Sequence, residues 1–288
     1  MEVDYAALKA SGFMPQKQRD TFSMRLRVVG GTVTAEQLIA IKAVAEKFGR
    51  GYVHLTSRQG IEIPYIKLKD IEKVKVALEE GGLALGASGP RVRTVTACQG
   101  GRCCPSGCID ALKLAKKIDK RYYGRNLPHK FKFGVTGCPN NCLKAEENDF
   151  GVKGATVRTF DASKCVGCGL CAKACVRHKA IQIKAKKAVF DDSKCSYCGK
   201  CVKACRIGAL TGAPGFRVYF GGVFGNEVVR GRDILPPITE EKVLFRVADA
   251  TLKYFAENAQ PKERLVKMLE RLGWDDFIAA VRDAYEKG

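Results

Sequence analysis

Fourteen cysteines in 288 residues constrain this chain more than any other feature of its sequence. Eight of them form two runs with one spacing, Cys165-x2-Cys168-x2-Cys171-x3-Cys175 and Cys195-x2-Cys198-x2-Cys201-x3-Cys205. Disulfide-rich chains are usually small and secreted, whereas this chain is large and shows no apolar export signal. We therefore expect metal ligation. The doubled spacing is typical of proteins that bind two [4Fe–4S] clusters.

In such doubled runs, the fourth cysteine of each run ligates the other cluster. We therefore predict one cluster on Cys165, Cys168, Cys171 and Cys205, and a second on Cys195, Cys198, Cys201 and Cys175. Zinc ribbons, the alternative, lack third and fourth cysteines at this spacing. Residues 156–213 resemble a bacterial two-cluster ferredoxin, except that Val176 and Arg206 replace the proline that usually follows the fourth cysteine. We expect this insert to carry electrons.

The amino-terminal part of the chain alternates strand and helix patterns. The order is β-α-β-β-α-β, which is typical of a ferredoxin-like α+β domain, predicted here over residues 1–85. The Thr34-Ala-Glu-Gln37 segment has the form of a capping box that begins a helix. The predicted strands are 22–29, 52–56, 61–66 and an extended 91–96, and the predicted helices are 34–49 and 70–80.

Residues 86–155 and 214–288 flank the insert, and we assign them to one domain. Their periodicity predicts a helix near 109–120, a glycine-rich strand over 216–224, and helices over 239–257, 261–272 and 274–286. Amphipathic packing explains the three closing helices, so we assign them no chemistry.

Four further cysteines form a split set suited to a third [4Fe–4S] cluster. They are Cys98 and Cys104, with five residues between them, and Cys138 and Cys142, with three residues between them. Cys103 is an alternative to Cys104. We otherwise interpret Cys103 and Cys108 as buried thiols.

Five segments around these cysteines are similar to the sirohaem-dependent sulfite and nitrite reductases. In chain order they are Arg27-Val-Val-Gly-Gly31, His54-Leu-Thr-Ser-Arg-Gln59, Thr96-Ala-Cys-Gln-Gly, Leu127-Pro-His-Lys-Phe-Lys132 and Gly137-Cys-Pro-Asn-Asn-Cys. The resemblance implies that residues 86–155 and 214–288 bind sirohaem and the third cluster, with the sulfur of Cys142 bridging the cluster to the sirohaem iron.

The resemblance also implies which side chains meet the ligands. Arg27, Arg93, Lys130 and Lys132 would bind the anionic substrate, and the sirohaem would contact His54, Thr56, Arg58, Gln59, Asn140 and Cys142. Strand alternation alone places Lys130 and Lys132 on one face, where a solvent-exposed edge is the other interpretation. Gln59 has an equally plausible structural role in a turn.

The net charge of +20 would ordinarily point to a nucleic acid or a membrane surface. Three clusters at about −2 each, with the roughly eight carboxylates of sirohaem, reduce it to about +6. No nucleic-acid motif and no apolar run long enough to span a membrane is present in the sequence.

The resemblance implies a cytoplasmic reductase subunit that converts sulfite to sulfide, with nitrite reductase or an electron-transfer subunit as alternatives. The donor would be a ferredoxin, or iron–sulfur and flavin subunits, because the insert resembles that of dissimilatory sulfite reductases and of the anaerobic sulfite reductases. Only one set of motifs is present where larger relatives have two homologous halves. We therefore expect a homodimer or a complex with a related subunit.

Overall fold

A four-stranded antiparallel sheet forms the amino-terminal part of the protein in the computed structural model, which describes residues 3–287. The first two residues and the last residue of the predicted domains lie outside that range. The strand order is β1-β2-β4-β3, and α2 packs on α3 and on β4. The elements are α1 (Tyr5–Ala10), β1 (Phe13–Pro15), β2 (Thr21–Arg25), α2 (Ala35–Phe48), β3 (His54–Leu55), β4 (Ile61–Lys67) and α3 (Ile71–Glu80).

This domain confirms the predicted helices and corrects the predicted edges of the sheet. The Thr34 capping box forms with Gln37, as predicted. Strand β2 ends at Arg25, although the N–H of Leu26 still donates to the carbonyl of Ile61 in β4. The N–H of Arg27 donates instead to the carbonyl of Ala84, outside this sheet. The extended segment 91–96 does not join this sheet, whose outer edge is instead the three-residue β1.

A second four-stranded sheet has the order β10-β7-β6-β5. Its β10–β7 pair is antiparallel, whereas β6 runs parallel to both β7 and β5. Helix α4, which confirms the helix predicted near 109–120, packs against β6. The elements up to the last strand of this sheet are β5 (Thr96–Ala97), α4 (Ala111–Tyr122), β6 (Phe133–Thr136), β7 (Phe150–Phe160), α5 (Leu170–Ala174), β8 (Ile181–Lys184), β9 (Lys187–Phe190), α6 (Lys200–Ala204) and β10 (Leu210–Phe220).

The cysteine-rich insert sits at the end of a long two-stranded ribbon. Strands β7 and β10 pair over their full length, from Phe150 opposite Phe220 to Phe160 opposite Leu210. The predicted boundaries at 155/156 and 213/214 therefore cross continuous strands. Within the insert, α5 and α6 lie thirty positions apart, and each follows a glycine with positive φ.

The carboxyl-terminal helices pack on the second sheet through a chain of aromatic rings. Phe133 and Phe150 lie 5.3 Å apart, Phe150 and Phe220 5.3 Å, and Phe220 and Phe277 5.4 Å, measured between ring centroids. Within residues 3–287, no helix is long and apolar enough to cross a membrane. The last elements are β11 (Val223–Phe224), β12 (Val228–Val229), α7 (Glu241–Asn258), α8 (Leu265–Leu272) and α9 (Asp275–Glu286).

Candidate active site

A cavity of about 860 Å³ is lined by residues of the amino-terminal domain and of the second domain, which contains the second sheet and the carboxyl-terminal helices. Among the residues that the structure describes, no acidic side chain belongs to its lining. The basic ones are Lys9, Arg25, Arg58, Arg93, His129, Lys130, Lys132 and Lys262. Such an excess of positive charge in one concave site favours an anionic ligand.

Arg58 belongs to the amino-terminal domain, but its guanidinium forms hydrogen bonds with two residues of the second domain. Its Nη1 donates to Oδ1 of Asn148 at 3.0 Å, and its Nη2 donates to the carbonyl of Thr94 at 3.2 Å. A side chain at Gly134 would collide with Asn148, because a Cβ there would lie 2.3 Å from Nδ2. Burial lowers the pKa of Arg58 to about 10, and the nearby Asp149 carboxylate opposes that shift.

Arg93 lines the cavity, and one of its N–H groups has no acceptor in the described part of the chain. Its Nη1 and Nη2 donate to the carbonyls of Ala87 and Gly89 at 3.2 and 3.0 Å. The buried Nε has no hydrogen-bond partner in the described part of the chain. Burial lowers the pKa of Arg93 to about 10, and the positive charge of Arg25 contributes. An anionic acceptor in the cavity would satisfy this guanidinium.

Lys130 and Lys132 both line the cavity, and the intervening Phe131 and the following Phe133 are fully buried. The segment therefore alternates as predicted. Burial lowers the pKa of Lys132 to about 8, and the charges of Arg58 and Arg264 add to the effect. Burial likewise lowers the pKa of Lys130.

A buried ion pair contacts the segment that carries Lys132. Asp149 is fully buried, and burial raises the pKa of its carboxyl group, opposed by the charge of Arg264. Arg264 Nη2 lies 2.9 Å from Asp149 Oδ2, which also accepts the backbone N–H of Lys132 at 2.8 Å. Sequence reasoning missed this pair, since 115 residues separate its members.

Arg27 is not brought to the cavity, although the resemblance implies a substrate role for it. Its Nε donates to Oδ2 of Asp119 at 2.7 Å, and its guanidinium lies 3.8 Å from the ring centroid of Tyr123. Arg25 lines the cavity instead and pairs with Glu62 at 2.6 Å. The signal for Arg25 was present in the sequence, because alternation along the predicted strand 22–29 places it on the same face as Arg27.

The residues expected around the sirohaem separate into two groups. Thr56 lines the cavity with Arg58, and its Oγ1 accepts the N–H of Gly60 at 2.9 Å. Gln59 pairs with both backbone groups of Ala97, at 2.9 Å each, and does not line the cavity, so its contact with the sirohaem remains a prediction. The other three are exposed, do not line the cavity, and remain predictions: His54, Asn140 and Cys142.

Three cysteines of the third predicted cluster, Cys98, Cys104 and Cys138, lie around a close contact of two loops. A Cβ at Gly137 would lie 2.6 Å from Cα of Gly100, so only glycine permits this approach. The N–H of Gly137 donates to Sγ of Cys98 at 3.0 Å. Burial raises the pKa of Cys138, and the nearby thiols Cys108, Cys104 and Cys98 contribute.

Among the remaining thiols of this region, Cys142 and Cys104 are exposed. Cys103 is exposed too, so its interpretation as a buried thiol is wrong, whereas Cys108 is partly buried. Within residues 3–287, no three His, Cys, Asp or Glu side chains form a group that could hold a single metal ion. A [4Fe–4S] cluster differs, because each thiolate binds a separate iron.

Two smaller pockets in the insert collect its eight cysteines in sets of four. Each pocket takes three cysteines from one run and the last cysteine of the other, and these are the sets that the sequence assigns to one cluster each. One pocket is lined by Cys165, Cys168, Cys171 and Cys205, and the other by Cys175, Cys195, Cys198 and Cys201.

The second run of the insert faces the loop that carries Cys98 and Cys104. Lys203 Nζ lies 3.4 Å from the carbonyl of Pro105. Burial raises the pKa of Cys108, with a further contribution from Cys198 of the second run and an opposing hydrogen bond with Thr156. The pocket of the second run is therefore the one beside the cysteine loop of the third predicted cluster.

The donor set fits the groups that the sequence resemblance implies. The unpaired Nε of Arg93 and the desolvated cations of the cavity call for a ligand with several anionic oxygens, as sirohaem carboxylates provide. The cavity also falls in the usual size range of small-molecule sites. Sets of four cysteines are the usual ligands of [4Fe–4S] clusters.

The known proteins that are similar to this chain include sulfite reductases, in agreement with the resemblance of its sequence segments. The chain is similar to the coenzyme F420-dependent sulfite reductase of Methanocaldococcus jannaschii, with 34% identity over 280 residues, covering 96% of this chain and 44% of that protein. It is 33% identical over 213 residues to one of the subunits of the anaerobic sulfite reductase of Salmonella typhimurium, covering 66% of this chain and 61% of that protein. The chain thus spans about half the length of the curated relatives it matches.

A solved structure shares the fold. The crystal structure of dissimilatory sulfite reductase I superposes with a TM-score of 0.72 at 22% identity, covering 91% of this chain and 69% of that one. Residues 14–81 match the nitrite/sulfite reductase ferredoxin-like half domain. Residues 88–287 match the nitrite and sulphite reductase 4Fe-4S domain, and since this is more than half of the sequence, the chain belongs to the nitrite and sulfite reductase family.

Proposed function

We propose that this chain is the catalytic subunit of a sirohaem-dependent reductase that converts sulfite to sulfide with six electrons. The observation that carries the proposal is the cavity of about 860 Å³, with its all-basic charged lining and the unpaired Arg93 Nε, among the residues that the structure describes. When bound, sirohaem and its coupled cluster would supply electrons and an iron with an open position for the anion. The similarity to sulfite reductases favours sulfite as that anion.

The residues of the cavity and the four cysteines of the third predicted cluster have separable tasks in the proposal. Arg58 and Thr56 hold carboxylates of the sirohaem, and Cys98, Cys104, Cys138 and Cys142 hold the coupled cluster. Arg93, Lys130 and Lys132 hold the oxygens of sulfite, with Arg25 in the place that the resemblance gives to Arg27.

Lys132 also has the properties of a proton donor. Reduction of sulfite consumes protons as oxygen leaves as water, and efficient general acids have a pKa near the working pH. Burial lowers the pKa of Lys132 to about 8, so its Nζ can release a proton that an ordinary lysine would keep.

The insert would bind two further clusters and receive electrons from a donor protein, giving three [4Fe–4S] clusters in all. Its two four-cysteine pockets support this count. Lys and Arg outnumber acidic residues eleven to three over residues 161–213. Such a basic surface would speed association with an acidic ferredoxin, or with an iron–sulfur or flavin subunit.

A second subunit, either another copy or a related chain, would cover part of the amino-terminal domain. Strand β3 is the edge of the first sheet, and its Leu55 side chain is 71% exposed. Tyr52 and Val53 beside it are exposed too. Exposed apolar side chains along an open sheet edge favour pairing with another chain.

An assay of the anaerobically purified protein tests the proposal. With a low-potential electron donor, we expect oxidation of the donor that depends on sulfite, with sulfide as the product. Turnover of nitrite alone would make the chain a nitrite reductase, since the same cations fit both anions. Loss of both activities in cofactor-loaded protein would leave an electron-transfer subunit and overturn the proposal.

A further inference from the structure

The two runs of the insert are related by an internal repeat with one informative exception. Each cysteine of the second run follows its counterpart by thirty positions. The first cysteine of each run receives a backbone hydrogen bond from the residue two positions later: Gly167 donates to Cys165, and Tyr197 donates to Cys195 at 3.4 Å.

The exception concerns a second contact with the first cysteine of each run. In each case, the contacting residue lies on the strand that precedes the other run in the chain. For Cys165, that residue is Ala188, which donates its backbone N–H. For Cys195, it is Arg158, thirty positions before Ala188, whose Nη1 lies 3.2 Å from Sγ. A guanidinium therefore contacts Cys195 where a backbone amide contacts Cys165. The pocket of Cys165 has a further amide, because the N–H of Leu210 donates to Sγ of Cys205 at 3.3 Å.

Arg158 is fixed in this position by contacts on several sides. It forms an ion pair with Asp192, and its guanidinium lies 4.4 Å from the ring centroid of Phe190. Its side chain is only 13% exposed. Because little of the side chain is exposed, its charge acts on the neighbouring sulfur with reduced screening by water.

The first run has a nearby cation as well, but that cation binds different atoms. Lys187 Nζ donates to the carbonyls of Ala162 and Cys165 at 2.7 and 2.6 Å. Its charge is therefore partly neutralised by carbonyl oxygens. Asp192 similarly offsets part of the charge of Arg158, so the asymmetry depends on the direct contact with Sγ of Cys195.

A cluster gains negative charge when it is reduced. A hydrogen bond or a positive charge at a ligand sulfur stabilises the reduced form and raises the reduction potential. The pocket that Arg158 contacts is also the one that faces the loop of Cys98 and Cys104, through Lys203 and Pro105.

We infer that Arg158 is a positioning residue that raises the potential of the cluster on Cys195, Cys198, Cys201 and Cys175 above that of the other insert cluster. A single electron from a reduced iron–sulfur or flavin protein then resides mainly on the cluster beside the loop of Cys98 and Cys104, and the donor is oxidised by one electron. This inference rests on the proposed function, because it requires both clusters of the insert.

The test is a redox titration of the intact, anaerobically purified chain, followed by electron paramagnetic resonance. In Arg158→Gln, one insert potential should fall, shifting the equilibrium between the clusters at least tenfold, or about 59 mV for a one-electron couple. The other should stay unchanged. Arg158→Lys should show a smaller shift, and Arg177→Gln, which changes an exposed arginine of the insert, should show none.

Iron content separates the two ways in which the inference could fail. Wild-type protein without the roughly eight irons of the insert would overturn the proposed function and this inference together. Unchanged potentials in an Arg158→Gln chain with full iron content would overturn the inference alone. If Arg158→Gln loses iron, the potentials of Arg158→Lys decide in the same way.

Discussion

Arg264 binds both carboxylate oxygens of Asp149, with Nη2 2.9 Å from Oδ2 and 3.0 Å from Oδ1. Arg264 directly precedes α8, and Asp149 accepts the backbone N–H of Lys132. The pair therefore connects the carboxyl-terminal helices to Lys132, a proposed substrate lysine that directly precedes β6. These helices position the site in addition to packing on the sheet.

The first prediction concerns this buried pair. Asp149→Asn leaves the guanidinium of Arg264 without its counter-charge, and we expect the free energy of unfolding in urea to fall by about 3 kcal/mol or more. Replacing both partners, as Asp149→Asn with Arg264→Met, should recover part of that loss, because the guanidinium charge is removed and an amide oxygen stays available to the N–H of Lys132. A single-variant loss below about 0.5 kcal/mol would show that the pair is not a stabilising element.

The second prediction concerns Lys132. In Lys132→Ala, we expect kcat/KM for sulfite to fall about 100-fold or more, because one preorganised cation at the reacting anion is lost. Iron and sirohaem content should remain as in the wild type. Lys42→Ala changes an exposed lysine on α2 and should keep full activity. Unchanged kinetics in Lys132→Ala would remove Lys132 from the site.

The third prediction concerns pH. Since burial lowers the pKa of Lys132 to about 8, its ammonium group loses its proton as the pH rises through that value. We expect KM for nitrite to increase over this range, and nitrite is the suitable probe because it stays singly charged. Lys132→Arg should lack this increase, since a guanidinium stays protonated. If KM for nitrite rises equally in the wild type and in Lys132→Arg, the increase must be assigned to another titrating group.

The fourth prediction uses the repeat as its own control. Gly169 and Gly199 both have positive φ, but a Cβ at Gly199 would lie 2.5 Å from Oγ1 of Thr156, whereas at Gly169 its nearest contact is 4.0 Å away. Both alanine variants lose about 1–2 kcal/mol from the left-handed backbone. Gly199→Ala should lose more and should retain less iron. Equal unfolding midpoints would contradict the close packing of Thr156 against the second run.

Local patterns were sufficient to predict the features that short segments specify. The capping box of Thr34 and Gln37 determines where α2 begins, whatever the rest of the fold. The alternation of Lys130 to Phe133 follows from strand geometry. The spacing of the two cysteine runs predicts sets of four, and each set lines one pocket.

Contacts between residues far apart in the sequence determine the features of the site that local patterns could not predict. Arg25 and Arg27 share one face of the predicted strand 22–29, so periodicity could not separate them. The structure separates them because β2 ends at Arg25 and Arg27 pairs with Asp119, 92 residues away. The short β1 and the pair of Asp149 with Arg264 likewise have no signature within a single segment.

The most direct test of the central claim is a cofactor census of anaerobically purified protein, by iron and sulfide analysis with an absorption spectrum. The account predicts about 13 irons per chain, from three cubanes and one sirohaem iron, with the absorption bands of a tetrapyrrole. About eight irons and no tetrapyrrole bands would contradict it, because the basic cavity would then hold no redox group.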